Sequence, residues 1–232
     1  MLLPKLFHYP KITTICLGGK YYDRKFWYSP FRETATLYTI TNGHITASVT
    51  DYGATLVRLF VPDASGNTAD IVLGYDDCNG YRTANGACLG ATVGRNANRL
   101  KGAKFTYKNT EYTLAQNDGA NNLHSGPDYF HLRLWKTVKH ASNSVTFELH
   151  SPDGDQGFPG NAIIQVTYEL DYEGSLHIQY DAVCDQDTVF NMTNHSYFNL
   201  AGHEKTNKAM EQILILPGRF FCPDDAENIP TG

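Results

Sequence analysis

Two neighbouring segments of the chain alternate apolar and polar residues with a period of two. The apolar members are Ile164, Val166, Tyr168 and Leu170 in the first segment and Leu176, Ile178 and Tyr180 in the second, and the turn sequence at 171–174 separates them. Because successive side chains of a strand point to opposite faces, each segment predicts a strand with one face on a core. This pattern restricts the chain to folds in which an antiparallel sheet packs against another layer.

Further strand patterns occur on both sides of this pair. They cover residues 37–40, 45–50, 54–61, 69–75, 103–107, 112–114, 135–139 and 145–150. Asn42-Gly43 is a two-residue hairpin signal between the first two. Fifteen Tyr, twelve Phe and twenty Gly suit many short strands and tight turns, and 232 residues are enough for a sizeable core. With no alternation of strands and helices, the sequence predicts an all-β, antiparallel β-sandwich.

The run 188–202 places a histidine among β-branched and aromatic residues, which predicts a strand packed inside the sheet protein. His195 lies between Asn194 and Asn199, and a neighbouring amide or carbonyl can fix the tautomer of an imidazole and aim its other nitrogen at a ligand. His195 is therefore a candidate general acid. The alternative is a core histidine whose hydrogen bonds are all satisfied.

Four motifs in this order resemble those of the galactose mutarotases, also called aldose 1-epimerases. They are Gly94-Arg-Asn-Ala-Asn-Arg-Leu100, Asn121-Asn-Leu-His-Ser-Gly126, Asn194-His-Ser-Tyr-Phe-Asn-Leu200 and Ile229-Pro-Thr-Gly232. The resemblance spans about residues 36–232. It implies the large twisted β-sandwich of that family, here incomplete at its C-terminal end, and the interconversion of the α and β anomers of galactose or glucose.

Anomer interconversion opens the hemiacetal ring: a base takes the proton of the anomeric hydroxyl while an acid protonates the ring oxygen. The resemblance implies that His195 is this acid and that His124 is a second catalytic histidine, which contacts the substrate and supports its change in charge. It also implies that Asn98 and Arg99 bind sugar hydroxyls. Without it, a surface ion pair is the favoured interpretation of Arg99, and a turn cap is the favoured interpretation of His124. Arg95 is expected to be structural. The chemistry requires no metal or organic cofactor, and we predict none.

The match differs from the family pattern at its end. The resemblance implies a glutamate base and a sugar-binding aspartate after the Ile-Pro-Thr-Gly motif, where this sequence ends at Gly232. Neither role transfers to Asp224, Asp225 or Glu227, which precede the motif. Loss of a general base typically costs roughly 10²–10⁴ in rate, or about 3–5 kcal/mol of transition-state stabilisation, so we expect weakened catalysis.

Composition restricts partners and compartment. A net charge of −5 offers no basic face for nucleic acid. Five scattered cysteines without a Cys-x-x-Cys pair indicate reduced thiols. No apolar run is long enough to cross a bilayer, and Pro4 and Pro10 interrupt any signal-peptide core. We expect a cytoplasmic protein whose partner is a small aldose; its oligomeric state is not specified.

Two domain regions and two other functions complete the expectations. Residues 1–33 have no clear periodicity and are interpreted as an N-terminal extension, although their aromatic run at 26–28 could cover a sheet edge. Residues 34–232 are expected to form the sandwich domain.

The first alternative function is a non-catalytic sugar-binding module. An epimerase of phosphorylated hexoses, or a sandwich-fold lyase or hydrolase, ranks lower because no phosphate-binding arginine cluster accompanies the motifs.

Overall fold

The computed structural model describes residues 24–28, 34–83, 85–205 and 207–232, and it is built mainly of antiparallel strands. A five-stranded sheet contains β1 (Arg24–Tyr28), β2 (Thr34–Thr41), β3 (Thr46–Thr50), β4 (Thr55–Pro62) and β5 (Thr68–Asp70), joined in that order. The next five strands are short: β6 (Thr92–Val93), β7 (Arg99–Leu100), β8 (Lys104–Tyr107), β9 (Thr110–Thr113) and β10 (Asn122–Leu123). A four-stranded sheet contains β11 (Lys136–His140), β12 (Ser144–Ser151), β13 (Ala162–Leu170) and β14 (Leu176–Cys184), and β15 is Thr193–Asn194. The short pairs are β8 with β9, β10 with β7 and β15 with β6.

In the part of the chain that the structure describes, helical structure is limited to short connections. The α-helix α1 is Cys78–Thr83, and the 3₁₀ turns are Asn85–Ala87, Lys101–Ala103, Phe130–Leu132, Asp155–Gly157 and Ala209–Glu211. Within the described ranges, no helix has the length and apolar character needed to span a membrane.

The main core lies between the two large sheets. Ile40, Val49 and Leu56 of the first sheet and Phe147 and Ile164 of the second belong to one buried cluster. The predicted alternation therefore marks the inward faces of β13 and its neighbours, as expected for two sheets that pack face to face. This arrangement confirms the predicted all-β sandwich.

The strand predictions hold best where hairpins are local. The β2–β3 hairpin forms, but its loop is the four residues 42–45 rather than two, because the Asn42 Oδ1 accepts from the backbone N–H groups of His44 (2.9 Å) and Ile45 (2.8 Å). The strand predicted at 69–75 ends at Asp70. Strand β1 pairs along the outer edge of β2, and the rest of the segment 1–33 lies outside the described residues.

The predicted strand at 188–202 is wrong for most of its length. Only β15 is a strand, and Tyr197, Phe198 and Leu200 are exposed rather than packed in the core. Its backbone bonds go to separate segments: Asn199 donates to the Ile71 carbonyl, and the Tyr197 carbonyl accepts from the Leu73 N–H. Because these partners belong to a different part of the chain, local strand propensity did not decide the conformation.

Arg95 is fully buried and bonded to backbone oxygens of the loop after β12. Its guanidinium donates to the Ser151 carbonyl (2.9 Å), the Pro159 carbonyl (2.8 Å) and the Gly160 carbonyl (2.8 Å), and also to the Thr188 hydroxyl (3.2 Å). A buried charge is tolerated only when its donors are satisfied. Arg95 therefore fastens three distant segments together, in agreement with the structural role expected for it.

His131 is a second buried polar side chain, within the 3₁₀ turn Phe130–Leu132. Among the described residues, neither of its ring nitrogens has a hydrogen-bond partner, and its ring stacks on Tyr129 with 4.8 Å between centroids. Burial, with smaller effects from His124 and His195, lowers the pKa of His131 to about 4. The imidazole is therefore neutral near pH 7.

We predict that Arg95→Met lowers the free energy of unfolding by about 3–5 kcal/mol, because the carbonyl oxygens around it lose their donors while staying buried. Urea denaturation followed by circular dichroism measures the change. Arg82→Met is the matched control: Arg82 is exposed on α1 and, among the described residues, its side chain bonds to Asn79 alone, so its loss should stay within about 0.5 kcal/mol. Similar losses in both variants would contradict the role of Arg95.

We predict that His131 destabilises the fold in acid. The folded-state pKa of about 4 lies below the unfolded value near 6.5, so the unfolded chain binds more protons between these values and stability falls as the pH drops through that window. From pH 7 to pH 5 this contribution is about 2 kcal/mol. Denaturation of His131→Leu at both pH values should show a smaller fall than the wild type by that amount, whereas the exposed control His44→Gln should follow the wild type.

Candidate functional site

His195 directly follows β15, which pairs with the buried strand β6. Thr92 pairs with Asn194, and the His195 N–H donates to the Ala91 carbonyl (2.8 Å) while its carbonyl accepts from the Gly90 N–H (3.2 Å). His195 is half-buried. Its backbone is thus fixed on both sides although little regular strand surrounds it.

The asparagine before His195 anchors this segment to the core. The Asn194 Nδ2 donates to the Gly90 carbonyl (3.0 Å) and to the hydroxyl of the buried Tyr168 (3.2 Å), and its Oδ1 accepts from the Ser196 hydroxyl (2.6 Å). The sequence allowed a neighbouring amide or backbone carbonyl to orient the imidazole, but among the described residues no hydrogen bond reaches either ring nitrogen of His195. Both nitrogens are therefore available to a ligand.

His124 follows β10 and is locked to the turn before β7. The Asn98 N–H donates to the His124 Nδ1 (3.0 Å), and the His124 N–H donates to the Asn98 carbonyl (3.0 Å). Both residues have left-handed backbone conformations, with φ of +57° at His124 and +65° at Asn98. Such conformations cost of order 1–3 kcal/mol in non-glycine residues and persist only where surrounding contacts impose them.

This hydrogen bond determines the protonation of His124. Since Nδ1 accepts, the proton of the neutral ring is on Nε2. Burial, followed by the nearby His195 and Arg99, lowers the pKa of His124 to about 4. Near neutral pH, His124 is therefore an uncharged hydrogen-bond donor.

The two imidazoles pack edge to face, and both line one open cleft. Their ring centroids are 5.3 Å apart and the rings are nearly perpendicular, at 89°. The cleft encloses about 150 Å³. Its lining residues are Gly86, Cys88, Leu123, His124, Tyr129, His195 and Tyr197.

The other two predicted site residues lie beside His124 rather than between the rings. The Arg99 Nε donates to the Asp118 carboxylate (2.7 Å), and its remaining N–H groups have only one weak contact in the described part of the chain, to the Asn98 Oδ1 (3.5 Å). Neither Arg99 nor Asn98 lines the cleft. Asp118 orients the guanidinium and leaves most of its donors free.

Sequence reasoning missed Asp118, Asn117 and Tyr129. The sequence pattern carries no signal for them, because each acts on a residue six to nineteen positions away, through contacts that only the folded loops create. Across the described ranges, no group of three or more His, Cys, Asp or Glu side chains is placed to hold a metal ion.

The chain is similar to curated enzymes over most of its length. It is 40% identical to the galactose mutarotase of Bos taurus over 199 residues, which are 86% of this chain and 57% of that protein. It is 42% identical to the aldose 1-epimerase of Haemophilus influenzae over 181 residues, which are 78% of this chain and 52% of that protein. The chain thus spans little more than half the length of these relatives.

Solved structures give the same grouping. An aldose epimerase homologue from C. elegans superimposes with a TM-score of 0.77 at 34% identity, covering 85% of this chain and 60% of that one. Galactose 1-epimerase from Lactobacillus acidophilus superimposes with a TM-score of 0.68 at 30% identity, covering 78% of this chain and 53% of that one. The family model described as aldose 1-epimerase matches residues 36–232. Motifs, fold and sequence similarity together show that the chain belongs to the aldose 1-epimerase family.

Proposed function

We propose that this chain carries the proton-donating and sugar-binding part of an aldose 1-epimerase site, acting on galactose or glucose in the cytoplasm. The observation that carries the proposal is the pair of adjacent imidazoles, His124 and His195, that line one cleft. The relatives that support it are named mutarotases and epimerases, and they offer no support for the non-catalytic sugar-binding alternative.

The two histidines have different roles in this proposal. His124 has a pKa of about 4, so it holds no proton that it can give up as an acid near pH 7; its Nε2–H donates a hydrogen bond to the sugar. In this proposal His195 supplies the proton for the ring oxygen. As this proton is transferred, the bond between the anomeric carbon and the ring oxygen breaks and the anomeric hydroxyl loses its proton to a base. Rotation about the first carbon–carbon bond followed by closure gives the other anomer.

Arg99 and Asn98 provide polar groups for hydroxyl recognition. Asp118 holds the Arg99 Nε and leaves the other N–H groups to present fixed donors, which suits neighbouring sugar hydroxyls. The Asn98 side chain is exposed beside His124. In this proposal both residues fix the position of the sugar so that its ring oxygen faces His195.

We assign no general base. Among the described residues that line the cleft, none is a carboxylate, and Asp118 is already paired with Arg99. The proposal therefore concerns the acid and the binding groups, and the balance of the reaction requires a proton acceptor on the opposite side of the ring.

We predict that the protein accelerates the conversion of α-galactose to β-galactose above the spontaneous rate. His195→Ala should lower the catalysed rate about 10²–10⁴-fold. NMR of the freshly dissolved anomer follows the conversion. His44→Gln, in the exposed β2–β3 loop, is the matched control and should keep the wild-type rate. Equal rates for the wild type and His195→Ala would overturn the assignment of the acid.

A further inference from the structure

The cleft contains a tyrosine that the proposed reaction does not use. Tyr129 lines the cleft together with both histidines, and its hydroxyl oxygen accepts a hydrogen bond from the Asn117 Nδ2 (2.9 Å). In the described part of the chain, no acceptor is present for the proton of this hydroxyl. The orientation of the Asn117 amide therefore decides what Tyr129 offers to a ligand.

The backbone of Leu123 fixes that orientation. The Leu123 N–H donates to the Asn117 Oδ1 (2.7 Å), and the Leu123 carbonyl accepts from the Asn117 Nδ2 (2.9 Å). A rotated amide would place oxygen against carbonyl and NH₂ against N–H, losing both bonds. The Nδ2 group must therefore face Tyr129, so the phenolic oxygen is an acceptor on that side and its proton is directed elsewhere.

Two more contacts hold the tyrosine ring in place. One is its stacking on the buried His131, at an interplanar angle of 25°. The other is its close approach to Gly126, where a Cβ would lie 2.4 Å from the Tyr129 ring and 2.2 Å from the Asn117 Nδ2. Only glycine allows this approach. The ring is thus positioned before any ligand arrives, which lowers the entropy cost of binding.

We propose that Tyr129 is a substrate-binding residue, which donates its phenolic proton to an aldohexose hydroxyl at C2, C3, C4 or C6, and that Asn117 is the positioning residue that keeps this proton available. The inference rests on the proposed function, since it takes the cleft to be the sugar site. It adds a specificity contact to those proposed for Arg99 and Asn98. Because His124 also follows Leu123 directly, Asn117 links the placement of both donors.

The test is a comparison of Tyr129→Phe with the wild type in galactose binding, measured by NMR titration at millimolar sugar. Loss of one neutral hydrogen bond should raise the Kd about 2- to 10-fold, with an unchanged melting temperature. Tyr112→Phe removes a hydroxyl from strand β9, away from the cleft, and should bind like the wild type. An unchanged Kd for Tyr129→Phe beside normal wild-type binding would overturn this inference alone, and no saturable binding by the wild type would overturn the proposed function as well.

Four deoxygalactoses, each lacking the hydroxyl at C2, C3, C4 or C6, identify the contact. One of them should bind the wild type more weakly than galactose does and show no further loss with Tyr129→Phe, because the same hydrogen bond is already missing. An equal loss for all four sugars would overturn a direct contact. A merely structural role for Tyr129 would produce that uniform loss.

Asn117→Asp tests the positioning role. A carboxylate in place of the Nδ2 accepts the Tyr129 proton and withdraws it from the cleft. We expect Asn117→Asp to weaken galactose binding at least as much as Tyr129→Phe does. In the double variant, the added Tyr129→Phe should cause no further loss of binding. Additive losses, or binding equal to the wild type, would overturn the role of Asn117.

Discussion

The buried guanidinium of Arg95 is the interaction on which the arrangement of the site depends. It lies in the segment that leads to Asn98, and its donors bind carbonyl oxygens between Ser151 and Gly160. A charge without water must have such partners, so the loop after β12 can take few other conformations. The second sheet is thereby tied to the irregular segments that carry the polar side chains. The site is built on loops, but a core interaction positions those loops.

The chemistry of the cleft follows from which groups the fold satisfies and which it leaves open. His124 gives one ring nitrogen to the Asn98 backbone, so it stays neutral and keeps a single donor. His195 has no such bond in the described residues and keeps both nitrogens for a ligand. One hydrogen bond therefore makes the two histidines differ in the ring nitrogens that they offer to a ligand. The left-handed conformations at His124 and Asn98 are the local strain that this arrangement requires.

The predictions from sequence succeeded where the determining contacts are local. The alternation in β13 and β14 needs only neighbouring residues and a turn, and both strands form as an antiparallel pair. The prediction failed at 188–202, where strand propensity was high but the backbone partners belong to segments near residues 71, 90 and 96. Of the predicted site, the two histidines do meet in one cleft, whereas Arg99 and Asn98 lie beside it. Their roles in catalysis and binding stay predictions.

By itself, the sequence determined the class of fold and the family, because strand periodicity and short motifs are properties of consecutive residues. It also identified His195 and His124 as candidates. Only the tertiary structure decided the tautomer of His124, the ion pair of Arg99 with Asp118, and the amide orientation that leaves the Tyr129 proton free. Each of these depends on atoms brought within hydrogen-bond distance by folding of separate loops, and no local pattern encodes that distance.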